Sequence, residues 1–178
     1  MGQVFFVIIV ASLIIGAIIG SVSANILDEE SYAVLAGYII QYVNTVRDSP
    51  QDSATLFLYS FTRYVIIAIF IWILVYGKIG MTAGLLVLLI RGVGFGFTTS
   101  FLIREFGMQG IGTAITLYFF QNVFLVPVYM WLMYNNMAFV VSGDKKGKSE
   151  WLEYGFVLII GIAVIVLACL VEVFIILR

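Results

Sequence analysis

Residues Leu85 to Pro127 read LLVLLIRGVGFGFTTSFLIREFGMQGIGTAITLYFFQNVFLVP. The stretch is almost wholly apolar, yet it holds Arg91, Arg104, Glu105 and the pair Gln121-Asn122. It is also dense in glycine: Gly92, Gly94 and Gly96, then Gly107, Gly110 and Gly112. Apolar runs of this length exceed what a soluble core helix needs, and about 20 residues suffice to cross a bilayer. The reading is two transmembrane helices with polar groups turned inward and small residues where helices touch.

The rest of the chain fits that environment. Of its 178 residues, 63% are hydrophobic and 11% charged, where a soluble domain has about a quarter charged. Long apolar runs and only two prolines favour helices over a barrel, whose strands alternate in polarity. The predicted fold is all-α: a single membrane domain, residues 1–178, of about five transmembrane helices plus one extracytoplasmic amphipathic helix. The expected spans are 3–23, 54–76, 81–103, 111–141 and 151–177.

The first span has no lysine or arginine before it and is longer than the core of a usual signal peptide. It reads as a retained helix, and Gly16 and Gly20 form a GxxxG pair suited to close helix contact. Segment 28–48 differs in character. Tyr32, Leu35, Ile39, Tyr42 and Val46 recur at helical spacing, and Asp28, Glu29 and Glu30 suit the positive end of a helix. Asp48-Ser49-Pro50 stops it. This amphipathic helix serves as a lid on the bundle, a docking surface for a partner, or both. Its candidate partner surface is Asp28, Glu29, Glu30, Tyr32, Arg47 and Asp48.

Lys78 and the cluster Lys145, Lys146 and Lys148 fall on one side of the expected bundle, and the acidic segment on the other. The positive-inside rule then puts the N-terminus and the lysine loop in the cytoplasm and the C-terminus outside. Trp72, Tyr76, Trp131, Tyr134 and Trp151 gather near the inner interface in this arrangement. Pro127 is expected to kink the fourth span. Ser149 is a cap for the last helix, with Glu150 and Glu153 in its first turn.

The chemistry-bearing residues are few. There is no histidine, no metal-ligand cluster and no nucleotide motif, so no catalytic set, metal or cofactor is expected. A net charge of -1 offers no field for nucleic acid. Arg91 is the costliest residue to place, since a mid-membrane charge costs roughly 2.5–3.5 kcal/mol on insertion scales. It needs a carboxylate, helix carbonyls or water, and Glu105 and Glu172 are the nearest acids; Arg63 is a further partner for Glu172. Arg63, Arg91, Gln121, Asn122 and Glu172 form the intramembrane polar set. Gly92, Gly94, Gly96 and Pro127 are read as sites of helix packing or helix breaking. Cys169 reads as a small residue facing lipid or another helix.

From Ser60 to Pro127 the chain resembles the stage II sporulation protein M family. The resemblance rests on Arg91-Gly92 to Gly96-Phe97-Thr98, the turn Phe106-Gly107-Met108-Gln109-Gly110, and Gln121-Asn122 followed by Pro127. Val171-Glu172 is a weaker match, where the family tends to carry an acid. The resemblance implies a non-enzymatic membrane scaffold of the engulfment machinery in endospore-forming bacteria. Such a scaffold positions cell-wall hydrolases, stage II sporulation proteins D and P, at the sporulation septum. The partners so implied are those hydrolases and membrane lipid, with a homo-oligomer as a further option and no nucleic acid. The alternative is the permease subunit of a transporter with a separate ATPase, with Arg91, Gln121, Asn122 and Glu172 lining a path.

Overall fold

The structure is a computed structural model that describes residues 2–48, 53–74, 77–107, 120–142 and 147–176. The side chains of Arg47, Asp48 and Gln121, the start of the expected fourth span, and Lys145-Lys146 lie outside the described residues. Six helices are present and no strand among the described residues: α1 (Gly2–Asn25), α2 (Glu29–Asp48), α3 (Ser53–Ile73), α4 (Gly77–Phe106), α5 (Phe120–Val141) and α6 (Lys148–Ile176). Five of them, all but α2, are long and apolar enough to cross a membrane.

The helix ends follow local chemistry. Asp28 caps α2, its carboxylate accepting the Ser31 backbone N–H at 3.0 Å. Glu29 and Glu30 then sit in the positive first turn. α4 stops at Gly107, which takes the left-handed conformation (φ 56°) while its N–H bonds the Ile103 carbonyl at 2.9 Å. That is an αL cap, which a glycine adopts without steric cost. α6 starts earlier than expected. Gly147 stands at its cap, and the Glu150 carboxylate reaches back to the Gly147 N–H at 3.0 Å. Glu150 therefore performs the capping expected of Ser149, because Ser149 already lies inside the helix. α5 continues unbroken through Pro127.

Direction is fixed by which residues meet. Ser12 bonds the Leu85 carbonyl, Ser21 the Ser100 hydroxyl, and Ala24 accepts from Arg104. Numbers rise together, so α1 and α4 run parallel. Tyr129 and Asn136 of α5 bond Tyr64 and Ile71 of α3, both pairs 65 residues apart. These helices are therefore parallel to each other and in register. Trp72 meets Tyr154 while Tyr64 meets Glu172, so α6 runs against α3. The five long helices alternate in direction along the chain.

α5 is the central helix. It packs against all four other long helices, and 44% of its span is buried against 17% for α1. Leu125, Tyr129, Leu132, Met133 and Met137 supply its core face. Cys169 and Ala168 of α6 join the same core. The outer faces are apolar too: Val7, Ile18, Phe156 and Phe174 are each more than half exposed. A soluble protein would not expose such continuous apolar faces, whereas hydrocarbon would cover them.

α1 meets α4 through glycine. A Cβ on Gly16, Gly20, Gly92 or Gly96 would run into the backbone of the facing helix. Two GxxxG pairs therefore interlock, allowing carbonyl-to-backbone contact along the seam. Gly94, by contrast, has nothing within 4 Å of a Cβ position. The Gly92-Gly94-Gly96 run thus divides by helical periodicity: Gly92 and Gly96 face α1, and Gly94 faces away.

Candidate functional site

Arg91 projects from the middle of α4 and lies between two tyrosines. Its guanidinium carbon is 5.6 Å from the Tyr64 ring centroid and 5.5 Å from that of Tyr129. Tyr129 donates its hydroxyl to the Tyr64 carbonyl at 3.2 Å. Tyr64 in turn donates to Glu172 Oε1 at 3.4 Å. The register of α3 with α5 holds both rings against the cation. A guanidinium near aromatic faces gains from the ring quadrupoles, about 0.5–2 kcal/mol for each well-placed contact.

This corrects the expected pairing. Among the described residues no ion pair joins Arg91 or Arg63 to a carboxylate. Glu105 is held elsewhere, and Glu172 meets the cluster through the Tyr64 hydroxyl. The physical reason is that α3 and α5 place bulky rings between Arg91 and the acid. Arg91 Nε and Glu172 Oε2 are buried without a hydrogen-bond partner. Buried polar atoms of this kind call for a specific explanation.

Two grooves open beside Arg91. One, of about 460 Å³, lies between α1, α4 and α5, with Ile14, Phe95, Val126 and Pro127 in its walls. The other, of about 410 Å³, lies between α3 and α4 and holds both Arg63 and Arg91, with Thr98 and Asn122. Arg63 also borders a third groove along α3, from Thr55 to Ile66. The expected polar set is thus partly gathered: Arg63, Arg91 and Asn122 share one groove. Glu172 stands behind Tyr64.

α2 is fastened to one end of the bundle. Tyr32 donates its hydroxyl to Glu105 Oε2 at 2.6 Å, and its ring lies 4.1 Å from the Arg104 guanidinium carbon and 4.8 Å from Phe101. Arg104 also donates to the Ala24 carbonyl at 3.2 Å. Ala24, Ala36 and Phe101 form a small core beneath, with Leu27 and Leu35 packed on it. Burial, then the bond to Glu105, pushes the Tyr32 phenol above its usual range. The bond from Ser31 lowers the Asp28 carboxyl. Tyr32 therefore belongs to the attachment of α2, while Asp28, Glu29, Glu30, Val34 and Tyr38 stay exposed.

The opposite end carries a lock that the sequence reading missed. The last carbonyls of α3 lack partners within the helix. Asn136 donates to the Ile71 carbonyl at 2.8 Å, and Tyr154 to the Trp72 carbonyl at 2.7 Å. The Trp72 indole returns a bond to the Tyr154 carbonyl. Phe139 stacks on Tyr154 at 4.4 Å and meets Trp151 edge-on. Trp72 and Trp151 thus share this end as expected, though they pack with protein rings. The available signal was Asn135-Asn136 inside an apolar run, since a polar residue within a span carries a role by default.

Among the described residues no group of three His, Cys, Asp or Glu side chains could hold a metal ion. No protein-family model, curated protein or solved structure matches the chain.

Proposed function

We propose that the protein is a non-enzymatic multipass membrane scaffold whose outward face recruits or positions a peptidoglycan hydrolase at the sporulation septum. The observation that carries this reading is the mounting of α2. Tyr32, Arg104 and Glu105 clasp its first turns to the ends of α1 and α4, while Asp28, Glu29, Glu30 and Tyr38 face out. A rigidly held acidic and aromatic face is suited to receiving a partner, because little ordering cost remains at binding. The class of partner, stage II sporulation proteins D and P, comes from the family resemblance carried by Arg91 to Pro127. In this reading α2 and the C-terminus are extracytoplasmic, and the N-terminus and Lys145–Lys148 loop are cytoplasmic.

The grooves beside Arg91 support a scaffold over a permease. Their linings cover Leu13 to Ala17, Arg91 to Phe95 and Asn122 to Pro127 in one, and Arg63 to Ile67 and Val87 to Thr98 in the other. A path across a bilayer needs about 20 residues of helix length, and these grooves run along the flank for only a few turns. Co-purification from membranes tests the proposal. Charge reversal of Asp28, Glu29 and Glu30 is expected to reduce hydrolase recovery while leaving the scaffold's membrane level unchanged. Full recruitment after replacement of the whole 28–52 segment would overturn it.

A further inference from the structure

We infer that the groove between α3 and α4 is a binding site for the phosphodiester head of an anionic membrane phospholipid. The inference rests on reading the five long helices as membrane spans. Two arginines, Arg63 and Arg91, line one groove of about 410 Å³ together with Thr98 and Asn122. Among the described residues neither cation is ion-paired. Arg91 Nε is buried with no hydrogen-bond partner. The acid associated with this cluster is Glu172, which reaches Tyr64 from behind. Two cations against one acid leave one positive charge, the complement of a phosphodiester monoanion.

The walls of the groove fit a lipid. Ile67 and Ile90 line its apolar side, so a hydrocarbon chain has a track leading from the arginines. On α3 the sequence changes character here: Tyr59, Ser60, Thr62 and Arg63 are followed by the apolar run Val65 to Ile71. Thr98 on α4, Asn122 on α5 and Glu172 on α6 add polar residues around the same cluster. Arg63 also borders the groove along Thr55, Tyr59 and Thr62, which leaves space for the headgroup beyond the phosphate. Guanidinium forks match phosphate oxygens.

The test is native mass spectrometry of the protein purified in mild detergent and mixed with equal phosphatidylglycerol and phosphatidylcholine. The wild-type chain is expected to retain phosphatidylglycerol preferentially. Arg63→Gln is expected to lower that preference about fivefold, the usual effect of one basic residue at an anionic lipid. The Arg63 side chain is exposed, so its loss leaves the bundle packed. Arg91→Met is expected to abolish the preference, and the Arg63 variant decides the matter where the Arg91 variant does not fold. Equal retention of both lipids, or a preference untouched by Arg63→Gln, overturns the inference. Displacement of the lipid by millimolar inorganic phosphate also overturns it, in favour of a free-anion site. Extraction of the chain from membranes by alkali without detergent would instead defeat the reading of the spans.

Discussion

Gly16 of α1 and Gly92 of α4 face each other with no room for a methyl on either. A Cβ on Gly16 would lie 3.1 Å from Gly92 Cα and overlap the Leu89 carbonyl; one on Gly92 would lie 3.2 Å from Gly16 Cα and overlap the Leu13 carbonyl. The obstructing atoms are backbone, so no rotamer change relieves the clash. Gly92→Ala is therefore expected to destabilise the bundle by about 1–3 kcal/mol, the usual range for overpacking. Gly94→Ala, with open space around it, is expected to be neutral or to stabilise α4 by roughly 0.5–1 kcal/mol through helix propensity. Thermal unfolding in detergent ranks the two. Equal melting temperatures would contradict the interlocked seam.

That contrast shows what was legible from the chain. Apolar length announced five long helices, and the 3.6-residue period of Tyr32 and Leu35 announced the buried face of α2. The three spaced glycines near Arg91 were visible as a packing signal, but their division between a seam and an open face depends on where α1 lies. The partners of Arg91 were hidden for a related reason. Tyr64 and Tyr129 look like ordinary members of apolar runs, and only the parallel register of α3 with α5 brings them together. Coulomb reasoning from sequence favours acids for a buried cation, and it cannot see rings occupying the intervening space.

The Tyr32–Glu105 bond makes the attachment of α2 sensitive to high pH. The Tyr32 phenol is raised above its ordinary value of 10.0, by burial first and by Glu105 second. A raised group contributes stability that is complete below pH 10 and declines as pH climbs through the higher folded value. Hydrogen exchange across α2 is expected to accelerate in that alkaline window. Tyr32→Phe should remove the pH dependence and loosen the helix at neutral pH by about 1 kcal/mol, the net value of a typical hydrogen bond. An alkaline response that persists in Tyr32→Phe would assign it to another group.

Asp28 sets the opposite limit. Its carboxyl is lowered from 3.8 by the bond with Ser31, so its contribution is present above that value and fades as pH falls through the folded one. The first turn of α2 should fray in acid, seen as faster exchange at Ser31 and Tyr32. Asp28→Ala is expected to show this fraying at neutral pH, and Asp28→Asn to retain most of the cap. Identical exchange in all three proteins would exclude Asp28 as the cap.

At the other end, Asn136 and Tyr154 finish the α3 helix from outside. Asn136→Ala leaves the Ile71 carbonyl and a vacated buried space, with an expected loss of roughly 1–3 kcal/mol. Tyr154→Phe removes only the bonds to the Trp72 carbonyl and to Asn136, while its stacking on Trp72 at 5.3 Å survives. Because the two side chains touch each other, the double variant should lose less than the sum of the singles. Strict additivity would mean that they act as separate caps.

The aromatic enclosure of Arg91 can be separated from simple filling of space. Tyr129→Phe keeps the ring and gives up the hydroxyl's bond to the Tyr64 carbonyl and its approach to Arg91, so its expected cost is about 0.6 kcal/mol or somewhat more, the average for such bonds in membranes being about 0.6. Tyr129→Leu removes the ring and should cost several times more through lost volume. That loss alone does not prove a cation–ring attraction. A double-mutant cycle does: with Arg91→Met as the second substitution, Tyr129→Leu should cost less than it does beside the arginine, by about 0.5–2 kcal/mol. Arg91→Lys should recover only part of the coupling, since an ammonium lacks the flat face that guanidinium presents to a ring. Zero coupling in the methionine cycle would reduce Tyr129 to packing and leave Arg91 dependent on a ligand in the groove beside it.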